Sequence, residues 1–205
     1  SSAVADLLAG LRYIRHSPTL LLVMAMAFFA NLTAFPLTNG FLPIVARDVF
    51  GLDELGLAQL VSTTALGALV GSLVIGSLRR LRAAQVMVVG LVVWHALVIV
   101  FAAIDQLALA FVTLFLIGAA SSAGMIAMAV TLLQVAEAQF RGRANGLRQM
   151  AVYGVPMGLL AGGQLIEQFG VDVCFYVFGC VGMCGVAITA WAWHRAEPAS
   201  GETGG

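Results

Sequence analysis

Six long apolar runs occupy most of this chain, and they restrict its fold more than any other feature. A helix crosses the hydrocarbon core of a bilayer with about 20 predominantly apolar residues. Six segments, joined by short polar links, meet that requirement: 20–45, 55–78, 83–104, 107–135, 144–166 and 173–193. No run alternates apolar and polar residues with a period of two, so strands are not indicated. We therefore predict an all-α polytopic membrane protein with six transmembrane helices.

The composition supports this class and excludes several others. Of 205 residues, 61% are hydrophobic and 10% are charged, whereas soluble domains carry about 25% charged residues. All ten basic residues are arginine, so a phosphate-binding loop that depends on lysine is excluded. The balanced charge offers no basic stripe to nucleic acid. The three cysteines lack metal-ligand spacing with histidine, and we predict no metal and no cofactor.

The arginines are divided very unequally between the two sides of the predicted bundle. One side carries nine of them: Arg12, Arg15, Arg79, Arg80, Arg82, Arg141, Arg143, Arg148 and Arg195. The other side carries only Arg47, among several acidic residues. Cytoplasmic loops of membrane proteins are enriched in basic residues. We therefore predict a multi-pass protein of the plasma (inner) membrane with both termini cytoplasmic.

The sequence predicts three regions. Residues 1–19 form a cytoplasmic amphipathic lead-in, in which Ser17 and Pro18 mark a helix start. Residues 20–193 form the six-helix transmembrane domain, and residues 194–205, which are small and polar, form a disordered cytoplasmic tail. Because the chain starts with Ser1 and has no signal-peptide pattern, we predict that it is a piece of a longer protein.

Polar residues are concentrated in the first, second, fourth and fifth spans. The third and sixth spans contain few, so we predict that these two helices are peripheral and face lipid. Polar groups in membrane helices usually face a neighbouring helix or a water-filled cavity. The candidates for a substrate cavity are Asn31, Thr38, Asn39, Ser121, Ser122, Gln149 and Tyr153. Hydrogen bonding between helices, without any cavity, is the alternative for each of them.

Glycine and proline positions favour a bundle of two related halves. Glycines four residues apart, at 67 and 71 and at 154, 158 and 162, permit either close helix approach or bending. Pro36 and the small residues 118–124 interrupt the first and fourth spans at corresponding places. Such paired interruptions are typical of transporters built from inverted repeats. We therefore predict a three-plus-three arrangement of the six helices.

Several short motifs, in order along the chain, resemble the C-terminal half of major facilitator superfamily exporters, helices seven to twelve, in the enterobactin-exporter-like branch. They are LRYIRHSP at 11–18, NLTAFP at 31–36, FLPIVARDVFG at 41–51, FRGRANG at 140–146 and GLLAGG at 158–163. The resemblance implies a secondary active transporter, an exporter of small molecules of drug or siderophore type. Its partners would be a small-molecule substrate, membrane lipid and an N-terminal six-helix half, in the same chain or a second one.

The resemblance also marks two cytoplasmic loops as candidates for gating. The family's signature loop contains a glycine, an aspartate and several basic residues. This chain retains Gly76, Arg79 and Arg80 in the matching loop but lacks the aspartate, which leaves a charge-relay role in doubt. The second loop contributes the candidates Arg141, Gly142 and Arg143.

Two other function classes are alternatives to transport. A six-helix intramembrane serine protease needs a serine activated by histidine, yet the chain has no GxSxG pattern. His95 is instead predicted to be a buried, hydrogen-bonded residue, and we predict that the chain is not an enzyme. A six-helix substrate-binding subunit of a vitamin importer is the second alternative. Because no acidic residue lies in mid-span, this half is predicted to contain no essential proton site.

Overall fold

The computed structural model describes residues 17–77, 82–137 and 151–196, together with Gly142, Gly146 and Gln149. No strand occurs in these ranges. Within residues 17–77, 82–137 and 151–196, six helices follow one another: α1 (Pro18–Val49), α2 (Glu54–Ser77), α3 (Ala83–Ala102), α4 (Leu107–Val135), α5 (Gly154–Phe169) and α6 (Val171–Ala196). Five of them, all except α5, are long and apolar enough to cross a membrane. The predicted all-α class and half-bundle architecture are confirmed.

Helix α1 begins where the sequence predicts. The Ser17 hydroxyl caps it by accepting a hydrogen bond from the Leu20 N–H at 3.5 Å, and Pro18 occupies the first turn. Proline fits that position because its missing N–H is not needed there. The rest of the predicted amphipathic lead-in, residues 1–16, lies outside the described residues.

The second half of α1 is wound more widely than an α-helix. The α-helical turns of Pro18–Phe29 give way to π-helical turns at Ala30–Ala34, Pro36–Gly40 and Val45–Val49. Pro36 has no N–H, so the regular bond to the carbonyl four residues earlier cannot form. Wider turns on both sides of Pro36 accommodate this missing bond, and such turns are frequent at functional sites.

The prediction that residues 144–166 form a single continuous α-helix is wrong. A 3₁₀ turn at Ala151–Tyr153 precedes α5. Pro156 lies one turn into α5 and cannot donate to the carbonyl of residue 152, so the preceding turn tightens instead of continuing as an α-helix. The 16 residues of α5 rise about 24 Å. Gly142, Gly146 and Gln149 are also helical.

Helix α6 ends at Ala196, three residues after the predicted span and inside the region predicted to be a disordered tail. The guanidinium of Arg195 lies 3.9 Å from the centre of the Trp191 ring, a cation–π contact that stabilises the last turn. A basic residue at this end also interacts favourably with the helix dipole. Residues 197–205 lie outside the described part of the chain.

The helix contacts follow an approximate two-fold pattern. Helix α4 packs against α2 and α3, and α1 packs in the same way against α5 and α6. The pattern pairs α1 with α4, α2 with α5, and α3 with α6. Under this pairing the contact of α4 with α2 corresponds to that of α1 with α5, and the contact of α4 with α3 corresponds to that of α1 with α6. The contact between α3 and α6 corresponds to itself. These contacts fit the predicted three-plus-three division. The interruption predicted at residues 118–124 is wrong, because α4 is a continuous α-helix there.

Glycines lie where the helices come closest together. A Cβ atom added to Gly71 of α2 would lie 2.7 Å from the Cα of Ala119 on α4, and one added to Gly118 would lie 2.9 Å from the Ala68 nitrogen. A Cβ on Gly158 of α5 would lie 2.7 Å from the Pro36 ring of α1. These separations leave no room for a side chain, so the predicted close helix approach is confirmed at Gly71 and Gly158, and Gly118 adds a position that was not predicted.

The prediction that α3 is a peripheral, lipid-facing helix is only half correct. Its outer face is exposed, at Val89 and Val100 for example. Its inner face is buried against α1, α4 and α6, and it contains Trp94 and His95. Counting polar residues underestimated α3, because its single histidine makes two buried hydrogen-bond contacts and its single mid-span tryptophan is buried as well.

Candidate functional site

A cleft of about 500 Å³ lies between α1, α2 and α4, with Trp94 of α3 in its wall. The π-helical part of α1 forms one side, and the glycine-packed pair of α2 and α4 forms the other. Besides Trp94, the polar side chains that line it among the described residues carry hydroxyl or amide groups: Thr38, Asn39, Thr64, Ser121 and Ser122. No charged side chain is among the lining residues in the described part of the protein.

The polar groups of the cleft are held in place by their own helices. Thr38 Oγ1 donates to the Ala34 carbonyl at 3.1 Å, and Asn39 Nδ2 donates to Thr38 Oγ1 at 3.0 Å. Ser121 Oγ donates to the Gly118 carbonyl at 2.9 Å. A hydroxyl that donates in this way still has lone pairs to offer as an acceptor. The cleft therefore presents fixed hydrogen-bond acceptors to a solute.

Ser122 differs from its neighbour. Its hydroxyl has no hydrogen-bond partner among the described residues, although it lines the same cleft as Ser121. A hydroxyl without an internal partner can both donate and accept. Ser122 is consequently available to a bound solute both as a donor and as an acceptor.

The apolar wall of the cleft consists mainly of aliphatic side chains and includes two aromatic rings, Phe35 and Trp94. Phe35 and Trp94 meet edge to face, with ring centres 6.3 Å apart and planes at 71°. The Trp94 side chain is almost completely buried, and its Nε1–H has no hydrogen-bond partner among the described residues. A buried donor without an acceptor costs free energy, about 1–3 kcal/mol. Trp94 and Thr64 are lining residues absent from the predicted cavity set. The sequence signal for Trp94 is its place in mid-span beside His95, and the signal for Thr64 is its place among the polar residues of the second span.

The structure brings together four of the seven predicted cavity residues, namely Thr38, Asn39, Ser121 and Ser122. The other three lie elsewhere. Asn31 is buried and donates from Nδ2 to the Ala27 carbonyl at 2.8 Å, within its own helix. Tyr153 is 69% exposed on the 3₁₀ turn before α5, and Gln149 is helical and exposed. Whether a substrate occupies the cleft stays a prediction.

A family model described as Major Facilitator Superfamily matches residues 24–205. This chain belongs to the Major Facilitator Superfamily. No curated protein and no solved structure matches it. Members of the superfamily are generally transporters rather than enzymes, and together with the membrane-length helices this makes the chain a multi-pass membrane transporter.

His95 does not form the base of a serine nucleophile in this transporter. Its imidazole is fully buried, with Nδ1 2.8 Å from the Leu91 carbonyl and Nε2 2.9 Å from Thr33 Oγ1. Both ring nitrogens are therefore occupied, and Ser121 is bonded within its own helix. The prediction that His95 is a buried, hydrogen-bonded residue is confirmed.

Among the described residues, two other surface clefts of this Major Facilitator Superfamily chain have similar volumes. One of about 410 Å³ lies between the ends of α3 and α6, beside Arg82, Gln85 and His194. Another, of about 440 Å³, is lined almost entirely by apolar side chains of α2, α3 and α4. Neither contains the mid-span hydroxyl and amide groups of the first cleft. No group of three or more potential metal ligands occurs among the described residues.

Two of the six predicted gating residues of the transporter lie in the described part of the protein. Gly76 is exposed near the end of α2, and Gly142 is exposed and helical. Arg79, Arg80, Arg141 and Arg143 lie outside the described residues. Their gating role stays a prediction.

Proposed function

We propose that this chain is the C-terminal half, helices seven to twelve, of a secondary active transporter that exports small molecules. In this proposal the cleft between α1, α2 and α4 forms one wall of the substrate path. The observation that carries the proposal is the lining of that cleft, which combines uncharged hydroxyl and amide groups with aromatic rings in a volume of about 500 Å³. Ligand sites are typically apolar concavities with a few fixed polar groups.

The surface of the bundle supports a second six-helix half. Large apolar side chains are exposed along the whole length of α2, at Leu55, Leu66, Leu69 and Leu73. Leu160 of α5, the helix related to α2 by the two-fold pattern, is 74% exposed. In a two-half transporter the substrate path runs between the halves, so α2 and α5 are the helices that a second half would cover.

The chemistry of the cleft favours one class of substrate. A strongly charged solute in a membrane needs an opposite charge to pair with, and the described lining provides none. Aromatic rings and hydroxyl acceptors suit an amphipathic molecule of low charge, which is the drug type rather than a highly charged siderophore. The export direction is carried over from the resemblance of residues 31–36 and 41–51 to the exporter branch.

Accumulation assays test this proposal. Cells that produce the intact protein would be screened with a panel of uncharged and weakly basic amphipathic dyes, and export measured as reduced dye accumulation. Thr38→Val and Ser122→Ala each remove one hydroxyl from the cleft. Loss of one hydrogen bond to substrate, about 0.5–1.5 kcal/mol, corresponds to a change of about two- to tenfold in apparent affinity. We expect such changes at normal levels of protein in the membrane.

Thr131→Val is the matched control. Thr131 is a buried threonine of α4 that donates to the Ala127 carbonyl at 2.8 Å and does not line the cleft. It should leave export unchanged. If the cleft variants only lower the amount of folded protein, or if they behave like Thr131→Val, the cleft is not the substrate wall. The vitamin-importer alternative has no specific observation in its favour once family membership is established.

A further inference from the structure

Three short polar contacts form a buried chain between α3 and α1. The Leu91 carbonyl oxygen lies 2.8 Å from His95 Nδ1, and His95 Nε2 lies 2.9 Å from Thr33 Oγ1. Thr33 Oγ1 in turn lies 2.7 Å from the Phe29 carbonyl oxygen. Both ends of this chain are carbonyl oxygens, which can only accept hydrogen bonds.

The number of hydrogens in this chain depends on the charge of His95. Three hydrogen bonds require three hydrogens. A neutral imidazole contributes one and the Thr33 hydroxyl contributes one, so one of the three contacts has no hydrogen to share. An imidazolium contributes two, and the chain is then complete: Nδ1–H to Leu91, Nε2–H to Thr33, and the hydroxyl to Phe29.

We propose that His95 is a proton-binding site, in which the imidazolium donates to the Leu91 carbonyl and to Thr33 Oγ1. The reaction is the transfer of one proton from a hydronium ion to the unprotonated ring nitrogen; one O–H bond breaks, one N–H bond forms, and a water molecule is left. When His95 is neutral with hydrogen on Nδ1, the Thr33 hydroxyl donates to Nε2. When Nε2 gains its proton, the hydroxyl turns to the Phe29 carbonyl, and no covalent bond other than N–H is formed.

No charged side chain faces His95 from the elements packed against α3, as far as the described residues show. Helix α4 contains no charged residue. Arg47 and Asp48 of α1 pair with each other at its far end. On α6, Asp172, His194 and Arg195 lie near the ends, Tyr176, Cys180 and Cys184 are exposed, and Cys174 lies against Gly162 of α5.

Among the described residues, these hydrogen bonds are therefore the polar contacts that can stabilise a charge on His95. Burial opposes that charge, and charge-assisted hydrogen bonds favour it. On the α6 side the imidazole lies directly against the backbone at Gly182, where an added Cβ would overlap the ring. Because the ring is fully buried, a proton reaches it only when the packing of α1, α3 and α6 opens.

The position of Thr33 links this site to the cleft. Thr33 lies in the first π-helical turn of α1, and the same helix carries Phe35 and Thr38 into the cleft. A solute that shifts α1 changes the contact between Thr33 and His95, and by linkage proton binding changes solute affinity to the same extent. This use of the proton rests on the proposed transport function, whereas proton binding itself does not. A proton site at His95 differs from the expectation that this half contains no essential proton site. That expectation was based mainly on the absence of acidic residues from the middle of the spans.

Nuclear magnetic resonance of ¹⁵N-histidine in the intact protein, reconstituted in lipid vesicles, tests the proposal. The His95 signal is assigned by its disappearance in His95→Gln. We expect a reversible change between pH 5 and pH 9 from a neutral ring to one with hydrogen on both nitrogens. Thr33→Val removes the acceptor of Nε2–H and should move the midpoint of this change to lower pH by about one unit, since charged hydrogen bonds are the stronger ones.

Two matched variants serve as controls. Thr33→Ser retains the hydroxyl and should retain the midpoint, and Thr131→Val removes an equally buried hydroxyl of α4 and should leave it unchanged. A ring that stays neutral over the whole pH range in folded protein would overturn the proposal. So would a midpoint that Thr33→Val moves to higher pH, because Thr33 would then serve mainly as a donor to the neutral ring. Neither result depends on transport, so the proposed function is tested separately.

Discussion

Replacing Gly71 by alanine measures how strongly the cleft depends on close packing of α2 and α4. The added Cβ would lie 2.7 Å from Ala119 Cα and 2.9 Å from the Ala119 carbonyl carbon. Unstrained carbon atoms lie about 3.5–4.0 Å apart. The atoms in the way belong to the backbone and cannot rotate aside, so the two helices must separate locally by about 1 Å.

The expected cost follows from two opposing terms. Overpacking against a backbone costs about 2–3 kcal/mol, in the upper part of the range for core substitutions. Alanine is the better helix former by about 1 kcal/mol. The net loss of about 1–2 kcal/mol corresponds to a fall in Tm of about 2–8 °C for a protein of this size.

Thermal unfolding of the intact protein in detergent micelles, followed by tryptophan fluorescence, measures this fall. Gly163→Ala is the control, since an added Cβ at Gly163 of α5 meets nothing within 4 Å. It should leave the Tm unchanged or raise it slightly, because the gain in helix propensity has no steric penalty to offset it. If Gly71→Ala unfolds at the wild-type temperature, α2 and α4 do not pack at the distance described.

Two further predictions concern the membrane orientation and the start of α1. A cysteine at Gly142 should resist a membrane-impermeant thiol reagent added outside cells, while a cysteine at Asp48 should react, because the arginine distribution places these residues on opposite sides; the reverse pattern would invert the predicted topology. Ser17→Ala should lower the free energy of unfolding by about 0.5 kcal/mol, the low end for a lost N-cap, because the bond from Leu20 N–H is long at 3.5 Å; a loss above about 2 kcal/mol would show that Ser17 has a second role.

Most of the helical architecture could be predicted from the sequence, because a bilayer imposes long apolar helices with short polar links. The bounds of α4 agree residue for residue, and those of α1, α2, α3 and α6 agree within four residues. The fifth span failed because its hydropathy does not reveal the effect of Pro156 on the preceding turn. The π-helical turns of α1 could not be predicted either, since they depend on how the chain around Pro36 packs against α5.

The site could be predicted less completely than the fold. The polar residues of the first and fourth spans were predicted to border a cavity, and Thr38 and Asn39 of α1 do line one cleft with Ser121 and Ser122 of α4. Asn31 was predicted to join them, but it is buried and its amide donates within its own helix. The contributions of Trp94 and His95 depend on where α3 lies in the bundle, which composition alone described as peripheral. Tertiary packing, rather than local pattern, decides which polar groups are shared between helices.

The accessibility of Ser122 to water tests the central claim most directly. In a background with Cys180→Ser and Cys184→Ser, single cysteines would be placed at Ser122 in the cleft and at Ile188, an exposed position of α6. A water-soluble, membrane-impermeant thiol reagent, applied to open membrane fragments, should modify Ser122→Cys much faster than Ile188→Cys, because the cleft is an aqueous path and Ile188 faces lipid. Equal rates, or an unreactive Ser122→Cys in correctly folded protein, would contradict the account of the cleft as a transport pathway.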